Sequence, residues 1–155
     1  MNSIIKEFEK GDFLISTDKS KLDLQVIHNF LSKESYWARN IPIELVKKSI
    51  ENSLTFGVYH KGRQVGFARI ITDFAVFATV GDVFIIPEYR GQHLSKWLVV
   101  TFTSLPELKW IRRWTLYTAD AHKLYEKYGF KLLERPERAM EINKQDIYEQ
   151  LYLAD

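Results

Sequence analysis

The stretch Asp82-Val83-Phe84-Ile85-Ile86-Pro87-Glu88-Tyr89-Arg90-Gly91-Gln92-His93-Leu94-Ser95-Lys96-Trp97-Leu98-Val99-Val100 sets one apolar run against another across a polar turn. The first run is β-branched and aromatic. Pro87, which has no N–H to give to a ladder, closes it as a strand. Beyond the turn, Leu94, Trp97, Leu98 and Thr101 recur at helical spacing. Between the runs lies Arg90-Gly91-Gln92-His93-Leu94-Ser95. Its glycine lets backbone approach a ligand, and the unpaired N–H groups of a starting helix can converge on one anion. A strand, turn and helix of this composition suit a phosphate.

Upstream, residues 54–59 and 64–72 read as strands joined through His60-Lys61-Gly62-Arg63, and a third strand covers 76–86 after Asp73-Phe74-Ala75. Three strands with short connections imply an antiparallel meander. Downstream, Pro106 and Lys109 mark a loop before a strand over 110–117. Because the helix intervenes, that strand runs parallel to 76–86 through a crossover. Asp120 is suited to cap a helix over 121–128, which Gly129 ends in the left-handed conformation. Residues 130–134 and 139–142 are expected to pair as a last hairpin. The tail, 144–153, has helical spacing but little capacity to bury itself, so it should dock on the domain or on another subunit.

The N-terminal part reads as a strand over 13–17 and a helix over 22–32 capped by Asp18 or Ser20, with His28 packed or capping rather than a metal ligand. The unpatterned loop Ser35-Tyr36-Trp37-Ala38-Arg39-Asn40-Ile41-Pro42 precedes an amphipathic helix over 42–52. Its aromatics either line a substrate site or cover the edge of the core.

A chain of 155 residues with 46% hydrophobic content fits one domain with one buried core. Twenty-two basic against twenty acidic residues leave a formal charge of +2. The cations are scattered, so nucleic acid is not the expected partner. Trp110, Arg112, Arg113 and Trp114 alternate along a strand and divide between core and solvent rather than forming an RNA platform. With no cysteine, thiolate metal sites, disulfides and cysteine nucleophiles are unavailable. No apolar run approaches the ~20 residues that span a bilayer, and no leader is evident. A soluble, cytoplasmic protein is expected.

Two motifs, 87–95 and Leu124-Tyr125-Glu126-Lys127-Tyr128-Gly129-Phe130, stand at a fixed separation inside the meander. Together they resemble the GNAT superfamily of acyl-CoA-dependent N-acetyltransferases, over most of residues 54–142. The resemblance implies one N-acetyltransferase domain over 1–155. Its fold would be mixed α/β: a mainly antiparallel, twisted sheet of about seven strands, flanking helices and a splayed central parallel pair. It also implies acetyl-CoA as co-substrate, no metal, and an amine of a small molecule or peptide as acceptor, with no nucleic acid or membrane partner and a homodimer left open.

Residue by residue, the turn Arg90, Gly91, Gln92, His93, Leu94 and Ser95 would surround the pyrophosphate. His93 stands where the family has glycine, and Ser95 where it has glycine or alanine. Val83, Phe84 and Ile85 would carry the pantetheine arm, with the backbone of Val83 and Ile85 meeting it as an added strand does. Tyr125 would protonate the departing thiolate, since a phenol of pKa ~10 stays protonated where a thiol of ~8.5 has ionised. Asp120 and His122 fall beside the pantetheine. Asp82 is the expected base for the amine, with Asp73 the runner-up; Tyr36, Trp37, Arg39 and Asp73 would shape the acceptor pocket. The rival reading keeps the fold, with or without CoA, in a non-catalytic binding or regulatory module; His93 favours it.

Overall fold

The computed structural model describes residues 5–153 and builds them on a six-stranded sheet. The strands β1 (Glu7–Lys10), β2 (Phe13–Ser16), β3 (Leu54–His60), β4 (Arg63–Thr72), β5 (Phe77–Ile85) and β6 (Arg113–Leu116) lie side by side in chain order. Neighbours from β1 to β5 are antiparallel, and β5 and β6 are parallel. This is the mixed, mainly antiparallel class expected from the sequence. Connection length explains the directions. Lys61 and Gly62, with φ of 49° and 84°, reverse the chain in two residues between His60 and Arg63. A helix separates β5 from β6 and makes their connection a crossover.

Helices cover both faces. On one, α3 (Leu94–Thr103) and α4 (His122–Glu126) bury Leu98, Val99, Phe102 and Tyr125 with Phe56, Val58, Ile70 and Val80 of the sheet. On the other, α1 (Leu24–Asn29) and α2 (Ile43–Glu51) bring Ile27 and Val46, with Phe30 and Leu31, onto Phe67 and Phe84. Each such side chain contributes about 1.5–3 kcal/mol. Phe84 stacks on Phe30 at 4.0 Å, so β5 is fixed from the α1 side as well as by α3. Asp23, rather than Asp18 or Ser20, caps α1 by accepting from the N–H groups of Gln25 and Val26. His28 is packed, its Nε2 2.9 Å from the Ile41 carbonyl.

The strand count differs from the expected seven at both ends of the sheet. β1 was not foreseen, and residues 130–134 and 139–142 do not form the expected hairpin. Pro136 opens a 3₁₀ turn over Pro136–Arg138 where a hairpin would need a reversal, and Leu132 and Leu133 are adjacent rather than alternating. Residues 131–147 are exposed throughout, leaving β6 as the sheet edge. The tail forms α5 (Ile147–Leu153), which docks through Tyr148 on the cluster of Phe30 and Phe84. Asp120 does not cap α4: the N-cap is Ala121, whose N–H bonds the Thr118 hydroxyl at 3.0 Å, and Asp120 is exposed. No helix among the described residues is long and apolar enough to cross a membrane.

Candidate functional site

β5 and β6 pair only over Phe77–Val80 and Arg113–Leu116, yet β5 runs on to Ile85. The strands part just beyond Val80, where β5 is bulged against β4. Arg69 pairs with Gly81 and Phe67 with Phe84, so Ala68 alone opposes Asp82 and Val83. Such an extra residue bends its strand and strengthens the twist. Asp82 carries the distortion with φ of 54°, a left-handed conformation that aspartate accepts better than most residues. The slip is written in the side chains. Ala78 and Val80 face α3, and so do Val83 and Ile85, three and five residues past Val80. An unbroken strand would have sent Val83 to the other face.

Both Asp82 oxygens are engaged. Oδ1 accepts from Trp37 Nε1 and Oδ2 from Arg69 Nε, each at 2.8 Å, and the Arg69 guanidinium reaches on to Ser53 Oγ at 3.2 Å. The ion pair is largely enclosed, with 10% of the Asp82 and 19% of the Arg69 side chain exposed. Tyr148 of α5 lies close enough to feel both charges, and burial raises its phenol pKa. Arg69, Ser53 and Tyr148 are site residues that sequence reasoning missed. A lone cation in the apolar strand Val65-Gly66-Phe67-Ala68-Arg69-Ile70-Ile71 was the signal for the first.

Beside Trp37, Tyr36 turns the opposite way and its hydroxyl accepts from the Ala119 N–H at 2.9 Å, beyond the end of β6. The two rings meet edge to face at 5.0 Å. Consecutive residues of one loop thus fasten to the two strands where they part. Arg39 is exposed on the same loop. Asp73 is not part of this site. Its Oδ1 accepts the N–H groups of Ala75, Val76 and Phe77, which hold its pKa below the usual range, and it organises the β4–β5 turn at the opposite end of β5.

At the other end, Pro87–Tyr89 forms a 3₁₀ turn and Arg90 Nε donates to the Ile85 carbonyl at 3.0 Å, tying the turn to the strand. Tyr89 is pinned from below by His60 Nδ1 at 2.9 Å. Gly91 and His93 both have positive φ, 83° and 62°. His93 therefore takes the glycine-like backbone conformation, and its side chain is exposed together with that of Gln92. The first α3 bond runs from Trp97 N–H to the His93 carbonyl. The N–H groups of Leu94, Ser95 and Lys96 thus have no partner within the helix. Leu94 itself is buried, so only its backbone can serve a ligand.

Tyr125 rises from α4 into the core cluster that holds Val83 and Ile85, edge-on to Phe130. Burial pushes its phenol up to about 12, and Tyr36 and Asp120 add to the shift. Asp120 and His122 are exposed at the start of the same helix. The structure thus gathers Tyr36, Trp37, Asp82, Val83, Ile85 and Tyr125 about the parting strands, with the turn 90–95 at the end of β5. Among the described residues no cluster of three or more His, Cys, Asp or Glu could hold a metal ion.

The family model described as an acetyltransferase (GNAT) domain matches residues 51–132, from the start of the meander through Tyr125. The chain belongs to the GNAT acetyltransferase family. A Xanthomonas campestris pv. campestris crystal structure described as belonging to the GNAT family is 46% identical, over 88% of this chain and 96% of that one, with a TM-score of 0.86. A Gibberella zeae protein with a provisional acetyltransferase name is 29% identical over 79% of this chain and 80% of its own. A GNAT family acetyltransferase from Elizabethkingia anophelis, solved with acetyl-CoA bound, shares the fold at TM-score 0.60 and 13% identity, over 85% of this chain and 88% of that one. Within the matched span lie the bulge at Asp82, the split of β5 from β6, and the turn that starts α3.

Proposed function

We propose that this GNAT protein transfers the acetyl group of acetyl-CoA directly to an amine of a small molecule or peptide. The parting of β5 from β6 beside Tyr125 carries this reading: it leaves Val83 and Ile85 without a strand partner on the β6 side, where an extended ligand can lie as a further strand. A thioester-bearing arm in that gap would have its pyrophosphate at the turn 90–95, whose free N–H groups suit an anion. The acetyl-CoA bound to the Elizabethkingia relative supports the co-substrate.

In this reading the amine nitrogen attacks the thioester carbonyl carbon, and backbone N–H groups of the bulged strand stabilise the oxyanion. Collapse re-forms the carbonyl, breaks the carbon–sulfur bond and expels the CoA thiolate, which takes the proton of Tyr125 Oη. A phenol pushed up to about 12 remains protonated, and so able to donate, across the neutral range. Asp82 already accepts from Trp37 and Arg69 with both oxygens. Its role is to position Trp37 and the bulge; the amine proton leaves through water, and water returns a proton to the Tyr125 phenolate. Tyr36 and Trp37 form the acceptor wall, with Arg39 exposed at its margin.

Calorimetry with acetyl-CoA, followed by thiol release with an amine panel, tests the proposal. Micromolar binding and amine-dependent release of CoA are expected, and no heat at high micromolar acetyl-CoA would overturn it. Binding without release by any amine would favour the non-catalytic module.

A further inference from the structure

An amine that attacks a thioester must shed a proton, and a phenol that protonates the departing thiolate must regain one. Of the three aspartates that sequence reasoning set about the gap, two are committed elsewhere. Asp82 accepts from Trp37 and Arg69 with its two oxygens, and Asp73 holds the β4–β5 turn at the opposite end of β5. Asp120 is uncommitted. It is exposed, and among the described residues its carboxylate has neither a hydrogen bond nor an ion pair.

Its place in the chain is fixed from both sides. The Ala119 N–H bonds the Tyr36 hydroxyl at 2.9 Å, and the Ala121 N–H bonds the Thr118 hydroxyl at 3.0 Å. The backbone of Asp120 is thus held between the loop of Tyr36 and the start of α4, which carries Tyr125. Tyr36 and Asp120 both act electrostatically on the Tyr125 phenol, so the three groups share one corner of the gap. Tyr36 is 52% exposed, and water reaches that corner.

We propose that Asp120 relays the proton of the attacking amine to Tyr125 through water. The relay rests on the direct transfer proposed above and closes its proton balance. Once bonded to the thioester carbon, the amine nitrogen is cationic, and the Asp120 carboxylate takes its proton through water. Collapse re-forms the carbonyl and breaks the carbon–sulfur bond, and the thiolate takes the proton of Tyr125 Oη. The phenolate left behind then takes the proton that Asp120 holds. A carboxylic acid of pKa ~4 gives its proton readily to the phenolate of a phenol of pKa ~10 or above. Amine and thioester leave as amide and thiol, and both side chains end as they began.

Asp120→Asn removes the proton acceptor from a side chain that bonds nothing, so the variant should fold as the parent does. In thiol release its kcat should fall about 10- to 100-fold, with the heat of acetyl-CoA binding unchanged and the acceptor KM within about threefold. Asp120→Glu should recover part of that loss. Glu126→Gln, which removes the same charge from an exposed position of α4, should leave kcat unchanged. Introduced into Tyr125→Phe, Asp120→Asn should cost only about threefold more, because the phenolate it serves is gone. A readout without substrate is the alkaline rise in phenolate absorbance, taken as the difference from the same protein carrying Tyr125→Phe. In Asp120→Asn, Tyr125 should ionise at lower pH, since a negative neighbour that opposes the phenolate has gone. A parent that binds no acetyl-CoA, or releases no thiol with any amine, would overturn the direct transfer and the relay with it. With a working parent, an Asp120→Asn enzyme of full kcat, losses that multiply with Tyr125→Phe, or an unmoved Tyr125 titration would overturn the relay alone.

Discussion

Replacing Asp82 by asparagine separates positioning from proton transfer, because it changes charge with little change of shape. Asparagine tolerates the left-handed φ of 54° as aspartate does, so the bulge backbone is spared. The side chain is not. Two donors, Trp37 Nε1 and Arg69 Nε, converge on its oxygens at 2.8 Å, and an amide offers one acceptor and one donor. One contact must become donor against donor. A hydrogen bond involving a charged group contributes about 1.5–3 kcal/mol; the cationic Arg69, 19% exposed, keeps the amide oxygen, and Trp37 Nε1 loses its acceptor. The expected loss of stability is about 2–3 kcal/mol, which lowers Tm by roughly 4–12 °C in a chain of this size. In the thiol-release assay the acceptor KM should rise as Trp37 is freed, while kcat stays within about threefold and the KM for acetyl-CoA is unchanged. An unaltered Tm together with a fall in kcat of about 100-fold or more, and loss of the acidic limb of the pH profile, would refute the reasoning and make Asp82 the base.

Three further outcomes follow from the same geometry. His93→Gly should stabilise the protein by about 1 kcal/mol in urea unfolding, because it removes a non-glycine residue from φ of 62°; lower stability would count against strain at the turn. Gly66→Ala should cost about 1–3 kcal/mol, since the added Cβ would lie 2.5 Å from Ile85 Cδ1 and 3.0 Å from the Phe84 carbonyl; an unchanged denaturation midpoint would show that β5 can shift freely. Tyr125→Phe should lower turnover by about 100-fold with little change in acetyl-CoA affinity. It also has a signature in stability. The folded phenol, pushed up to about 12, lies above the ~10 of an unfolded one, so its contribution is whole below about pH 10 and is lost as the pH rises toward 12. The variant should lose less stability than the parent across that alkaline window, and equal losses would contradict the shift.

The meander, the crossover and the turn were legible because each rests on local chemistry. A two-residue turn at Lys61-Gly62, an apolar alternation and a helix between parallel strands leave few topologies open. The two ends of the sheet were not. β1 carries only Phe8 as an apolar residue in Glu7-Phe8-Glu9-Lys10 and becomes a strand because β2 offers an edge to pair with, which no local pattern announces. Residues 139–142 alternate as a strand should and yet lie outside the sheet of their own chain. Period-2 patterning reports that a segment can pair, not with what.

For the site, residue type was legible and role was not. Asp82 and Tyr36 were picked out as a carboxylate and an aromatic near the expected gap, but a base and an anchor look alike in one sequence. What distinguishes them is the long-range contacts of one loop: Trp37 donating to Asp82 across 45 positions, and Ala119 donating to Tyr36 across 83. The bulge was in principle readable, since Ala78 and Val80 fall on even numbers and Val83 and Ile85 on odd ones while all four face α3. A change of phase inside one continuous apolar run requires an extra residue, and Gly81-Asp82 is the pair in that run able to supply it. The residue that bends the strand is therefore the one whose carboxylate fastens the loop of Tyr36 and Trp37, so substitutions at Asp82 act on the gap and on that loop at once.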